Sequence, residues 1–139
     1  MKALDIIKIG SNLLKENKIT SHILDSEILL SKTLNKPREK ILINLDQRID
    51  DKSILIFKEY LKRRSKKEPI AYILKEKEFW SKKFYVNKNT LIPRPETEIL
   101  IEKLLKIFKK KRLLILDAGT GSGCILISLI LNLKNSIGE

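Results

Sequence analysis

The stretch from Leu113 to Leu126, LLILDAGTGSGCIL, restricts this 139-residue chain more than any other part of it. An apolar run is followed by one acid, Asp117, by glycines at 119, 121 and 123, and by a second apolar run. Bounded by turn residues, the first run predicts a strand over Leu113–Leu116 with Asp117 at its end, and a helix follows from Cys124. Strand, acid, glycine turn and helix together make the first unit of a parallel, Rossmann-like nucleotide-binding sheet. Gly119 and Gly121 let the backbone pass close to a ligand, and Gly123 lets the helix pack tightly on the strand. The helix start offers free N–H groups to an anion.

Three ligands compete for such a turn. A phosphate loop needs Gly-Lys-Ser/Thr at its end, and here Gly123 is followed by Cys124. A dinucleotide site wants Gly-x-Gly-x-x-Gly; the spacing here is tighter, and Asp117 would crowd a pyrophosphate. S-adenosylmethionine carries no phosphate but an ammonium, a carboxylate and a sulfonium, so an acid at the strand end attracts its cationic end. Asp117, Gly119, Thr120, Gly121, Ser122 and Gly123 are therefore the candidate cofactor residues. The alternative is a bare strand-to-helix turn.

Before this turn the chain reads first as helices. Residues 3–16 place Leu4, Ile7, Leu13 and Leu14 near helical spacing. Thr20 or Ser21 caps a second helix carrying Ile23, Leu24, Ile28 and Leu29, and Pro37 opens a short third helix through Leu42. Asp50 caps a fourth, with Ile54, Phe57 and Leu61 on one face. It ends in KRRSKKEP, read as a solvated basic terminus that Pro69 keeps from continuing. EFWSKKFYVN at 78–87 gathers half of the aromatics around a polar turn and predicts a β-hairpin. After the extended LIPRPETE comes another helix, with Glu96 and Glu98 in its first turn and Ile99, Leu100, Leu104 and Phe108 facing inward. The basic run Lys109–Arg112 is solvated. The expected organisation is α+β: a helical domain over 1–70, a hairpin linker over 71–95, and the start of a sheet domain over 96–139.

The charge of +12 and a pI near 9.8 suit an RNA-rich partner such as the ribosome. The plainer alternative is a general lysine bias, since the lysines form no single stripe. One cysteine excludes an internal disulfide, and the single His22 leaves no soft metal-ligand set. The longest apolar run, Cys124–Leu133, is too short to cross a bilayer, and Lys2, Asp5 and Lys8 break up any signal peptide core. A soluble cytoplasmic protein is expected, with no membrane and no DNA partner. Cys124 is read as a packing residue and His22 as a surface or cap-region residue. Phe79, Trp80, Phe84 and Tyr85 pack the hairpin, or alternatively stack on a base or on adenine.

Several of these segments together resemble one family. EPIAYIL at 68–74 and EFWSKKFYVNKNTLIPRPETE at 78–98 resemble the joining segment of the release-factor glutamine methyltransferases, PrmC/HemK. LDAGTGSGCILISL at 116–129 resembles that family's first cofactor motif, and DSEILL at 25–30 a piece of its N-terminal domain. One departure is Lys75, where the family usually has glycine. The resemblance implies methyl transfer from S-adenosylmethionine to the glutamine amide nitrogen in the Gly-Gly-Gln motif of class I peptide chain release factors. It also implies that Arg94 lies at the edge of the cofactor pocket, in binding or in a structural ion pair. The family positions its poorly nucleophilic amide with an Asn-Pro-Pro-Tyr motif, which this sequence lacks, so no catalytic residue is assigned. The chain thus resembles the first half of the enzyme and is expected to be inactive alone. It is expected to lack a second complete strand with a terminal acid for the ribose, and neighbours on both edges of its first strand. Two other readings remain: a noncatalytic basic module that docks a release factor or RNA, and a fragment of a nucleic-acid amino-methyltransferase. The helical domain and PRPETE argue against the last.

Overall fold

Helix α1 (Ala3–Glu16) begins a bundle that continues with α2 (His22–Leu34), α3 (Arg38–Ile43), α4 (Asp51–Ser65) and α5 (Ile70–Leu74). The computed structural model describes residues 1–108, 111–134 and 136–139, and these form two compact units, Met1–Leu74 and Lys75–Glu139. Lys109 and Lys110 of the predicted basic run lie outside the described residues.

In the first unit the cap of α4 is where its sequence places it. Asp50 Oδ1 accepts the Ser53 N–H at 2.9 Å, and the Ser53 hydroxyl donates to Oδ2 at 2.7 Å. Phe57 and Leu61 are buried and Ile54 packs beside them. The inward faces of α1 and α2 differ from expectation. On α1 the buried positions are Ala3, Ile6, Ile7, Gly10, Ser11 and Leu14, while Leu13 is exposed. On α2 they are Asp25, Ser26, Leu29 and Leu30, leaving Ile23 and Leu24 outside. The reason lies in two small residues and one ion pair. A Cβ on Gly10 would stand 2.5 Å from Ser26 Oγ and 2.8 Å from Phe57 Cζ, so the three helices meet at a point where only glycine fits. Ser26 completes the crossing by donating to the Ile7 carbonyl at 2.9 Å. Asp25 turns inward to meet Arg64 of α4 (Nε to Oδ2, 2.7 Å). The Ser21 hydroxyl also donates to Asp25, at 2.8 Å, and makes no cap bond to the α2 backbone.

Gly10→Val is expected to destabilise the chain by about 1–3 kcal/mol through overpacking. Urea unfolding followed at 222 nm would show it as a lower midpoint, and an unchanged midpoint would mean that the crossing has slack.

The run KRRSKKEP is only partly solvated. Arg63 Nε donates to Glu68 Oε2 at 2.8 Å, and this guanidinium holds the Glu68 carboxyl below the usual carboxylate range. Arg64 is committed to Asp25, so the exposed charges of the run are Lys62, Lys66 and Lys67. Pro69 ends one helix and starts another: its carbonyl accepts the N–H groups of Tyr72 and Ile73, and Ile70–Leu74 coil as α5 within the first unit. The sequence instead predicts residues 71–74 as part of the hairpin linker.

The second unit opens with Lys75 at φ 59°, a left-handed conformation that favours glycine. Strands β1 (Glu76–Phe79) and β2 (Lys82–Tyr85) pair antiparallel, with Glu76 opposite Tyr85 and Phe79 opposite Lys82. The two tip residues, Trp80 and Ser81, have φ of 49° and 55°, the backbone that a two-residue hairpin turn requires. The Trp80 N–H donates to Glu98 Oε1 at 2.8 Å, tying the tip to the next helix. Phe79 and Phe84 are buried edge to face at 6.2 Å, whereas Tyr85 is exposed. The aromatics therefore pack the hairpin, apart from Tyr85.

A 3-10 turn at Pro95–Thr97 leads into α6 (Glu98–Phe108). Its buried position is Ile101, flanked by Leu104, Leu105 and Phe108, while the expected Ile99 and Leu100 are exposed. Then β3 (Leu114–Ile115), α7 (Cys124–Asn132) and β4 (Ile137–Gly138) form a β-α-β unit with parallel pairing, Leu114 to Ile137 and Ile115 to Gly138. β3 is shorter than the predicted strand, though the Leu113 carbonyl and the Asp117 N–H still bond to the β4 segment. One edge of β3 is thus paired, which corrects the expectation of two bare edges. The described residues form a mixed α and β chain with two small sheets. Among the described residues no helix is long and apolar enough to cross a membrane.

Ser128 stands in apolar α7 with 1% exposure, and its hydroxyl has no partner among the described residues. Ser128→Ala should therefore raise the stability by about 1 kcal/mol, seen as a higher Tm, because a buried unsatisfied group is removed. A lower Tm would show that the hydroxyl has a partner after all.

Candidate functional site

The loop between β3 and α7 depends on its glycines. Gly119, Gly121 and Gly123 have φ of 83°, 58° and 76°, all in the left-handed region. The Gly123 N–H donates to the Thr120 carbonyl at 2.9 Å and closes the turn, and Gly123 itself caps α7. A Cβ at Gly119 would meet nothing within 4 Å, and one at Gly121 only the Gly119 carbonyl at 3.9 Å. These two positions are thus set by backbone conformation, and the space before them is open to a ligand. At Gly123 the tight neighbour is Ile127 Cδ1 at 3.0 Å, on α7 itself and not on the strand as expected.

Two polar atoms of this loop are buried and lack a hydrogen-bond partner among the described residues: Asp117 Oδ2 and Ser122 Oγ. Buried polar atoms are ordinarily paired, so an orphan acceptor and an orphan hydroxyl on one loop form a natural ligand cradle. The N–H groups of the first turn of α7 add donors with no helical partner. An acid, a hydroxyl, open glycine backbone and free N–H groups match the ammonium, carboxylate and sulfonium of S-adenosylmethionine, so the residues present fit that group.

Thr120 is exposed, as are Gly119 and Gly121. Arg94 is also exposed, on the extended segment before the 3-10 turn. Its guanidinium makes no ion pair among the described residues. Beyond Gly138 the Glu139 carbonyl accepts the Asp117 N–H at 2.9 Å and continues the pairing of β4 with β3.

The remaining candidates are structural. Cys124 is buried in the core of the second unit. His22 opens α2, and its Nδ1 lies 2.8 Å from the Ser11 hydroxyl. Among the described residues no three potential ligands gather to hold a metal ion.

Comparison with known proteins bears on the first unit most directly. Residues 5–74 match the PrmC N-terminal domain, a span that ends at the last residue of the helical unit. The chain belongs to this family. A release factor glutamine methyltransferase of Leptospira interrogans is 43% identical over 134 residues, covering 95% of this chain and 47% of that protein. One from Haemophilus influenzae is 46% identical over 125 residues, covering 86% of this chain and 43% of its own length. A bifunctional methyltransferase of Rickettsia conorii is 38% identical over 156 residues, covering 94% of this chain and 30% of the relative. The chain thus spans about half the length, or less, of the curated relatives it matches.

Proposed function

We propose that this chain supplies the helical unit and the cofactor loop of an S-adenosylmethionine-dependent methyltransferase that acts on the glutamine amide of class I peptide chain release factors. The observation that carries the reading is the loop Asp117–Gly123, with its three left-handed glycines and the orphan Asp117 Oδ2. The relatives named above support the reaction class and the substrate. S-adenosylmethionine, when bound, supplies an electrophilic methyl group on a sulfonium.

The chain's own residues bind and orient. The Asp117 carboxylate attracts the cationic methionine end, Ser122 Oγ and the loop N–H groups hold polar atoms, and the start of α7 favours the carboxylate. Gly119, Thr120, Gly121 and Gly123 carry the backbone past the ligand. Arg94, exposed and without an ion pair among the described residues, is assigned to binding. A release factor is the partner, in the cytoplasm, with the basic surface favouring proximity to ribosomal RNA.

An amide nitrogen is a weak nucleophile, and alignment supplies much of such a reaction's rate. No Asn-Pro-Pro-Tyr occurs in these 139 residues, so the chain assayed alone is expected to transfer orders of magnitude less methyl than a complete enzyme. Radiolabelled S-adenosylmethionine and a release factor test this with two proteins. One is the chain itself, and the other is the chain joined to the part of the Leptospira relative beyond the match. Label on the Gly-Gly-Gln glutamine with the joined protein only is the expected result. Label with the chain alone would refute its inactivity, and no label with a folded joined protein would refute the reaction.

A further inference from the structure

We propose that the end of the helical unit where α1 and α4 terminate is a site for the phosphate backbone of a structured RNA. The site itself does not depend on the methyltransferase reading; the choice of RNA rests on it, because that reading places the chain in translation. Helices α1 and α4 run parallel. The Ile49 N–H donates to the Met1 carbonyl at 2.9 Å just before both begin, and Gly10 of α1 lies against Phe57 and Leu61 of α4. Their last residues, Glu16 and Ser65, therefore lie at one end of the unit. Residues 15–22 and 62–70, which form that end, carry seven basic side chains and two acids, whereas the rest of Met1–Leu74 carries nine and eight. Arg63 is paired with Glu68, and Arg64 with Asp25 of α2. That leaves Lys15, Lys18, Lys62, Lys66 and Lys67, all exposed and without an ion pair among the described residues, against one exposed acid, Glu16. A general lysine bias raises lysine everywhere but does not strip the acids from one end.

Two of the five lysines stand where lysine is disfavoured. Each helix ends in a Schellman motif: the Ile19 N–H donates to the Leu14 carbonyl at 3.0 Å, and the Glu68 N–H to the Arg63 carbonyl at 3.4 Å. The left-handed residue of each motif is a lysine, Lys18 at φ 59° and Lys67 at φ 65°, where glycine is the usual choice. Helix α2 closes in the same way, from Lys36 to Ser31, but with Asn35 in that position. A side chain kept at a cost to the backbone points to a use for its charge. Lys15 and Lys62, in the last turns, offset helix ends worth about half a negative charge each. Lys18, Lys66 and Lys67 lie beyond the helices and are left for a partner. The side chains also define that partner. Both arginines, whose forks match carboxylates, are committed within the unit, and lysine is a point charge that suits phosphate. Neither segment holds a Phe, Tyr or Trp to stack on a base, so the contact is to the backbone and independent of base sequence.

Fluorescence anisotropy of a labelled RNA duplex of about 16 base pairs, titrated with the full chain at several salt concentrations, tests this. Binding that weakens steeply with salt is expected. The double variant Lys18→Gly with Lys67→Gly should bind at least about tenfold more weakly and reduce the salt slope by about two, without a lower Tm. Lys8→Gln with Lys40→Gln removes the same charge from exposed sites elsewhere on the unit and should keep most of the affinity. No binding to the duplex would overturn the proposal, as would an equal loss in the two double variants. So would tighter binding to a DNA duplex of the same length, or a release factor held by these lysines with no RNA bound. The same titration on the chain joined to the remainder of the Leptospira relative should give the same pattern, and RNA binding lost on joining would also overturn it. Methyl transfer by the joined protein is measured separately, so a failure here is distinct from a failure of the methyltransferase reading.

Discussion

Arg64→Ala is expected to cost the chain about 3–5 kcal/mol of stability, because it strands a carboxylate in the core of the helical unit. Asp25 is 5% exposed, and its Oδ2 accepts from Arg64 Nε at 2.7 Å and from the Ser21 hydroxyl at 2.8 Å. Once the guanidinium is gone, one hydroxyl remains to offset the desolvation of a full charge, which is far too little. Arg64 also donates from Nη1 to the Glu68 carbonyl at 3.0 Å, so the link between α4 and α5 loosens too. A domain's whole stability is about 5–15 kcal/mol, so this one truncation should bring the unit close to its unfolding midpoint. The double variant Asp25→Asn with Arg64→Met should recover much of the loss, since replacing both charges is far milder than removing one. Urea unfolding of the three proteins measures both effects. A loss under about 1 kcal/mol in Arg64→Ala would mean that the pair contributes as little as an exposed one.

This pair shows why part of the fold could not be read in the sequence. Features that depend on neighbouring residues were legible. Asp50 caps α4 through Ser53, the hairpin turns at Trp80–Ser81, and the glycines at 119, 121 and 123 shape the loop between β3 and α7. Faces set by distant partners were not. Asp25 and Arg64 are 39 residues apart, and nothing local marks either as inward. In α6 Leu100 lies on the apolar stripe with Ile101 and looks equally suited to the core, whereas Ile99 falls on the polar face with Glu102, Lys103 and Lys106, where its exposure was legible. Gly10 reads as a weak helix former until Ser26 and Phe57 are seen against it. β4 is two residues long and carries no alternating pattern, so it escaped notice. Of the candidate site, the residue types were visible, but the orphaned state of Asp117 Oδ2 and Ser122 Oγ belongs to the folded chain alone.

The central claim is that the loop Asp117–Gly123 binds S-adenosylmethionine, and amide NMR spectra of the chain titrated with that molecule to about millimolar concentration test it most directly. The resonances of residues 117–124 should move while those of Met1–Leu74 stay in place. Gly121→Val should reduce the affinity at least about tenfold. At φ 58° a β-branched residue is strained, and its methyl groups would occupy the open space that a ligand needs. Absent shifts, shifts confined to other residues, or an unchanged titration of a folded Gly121→Val would contradict the account.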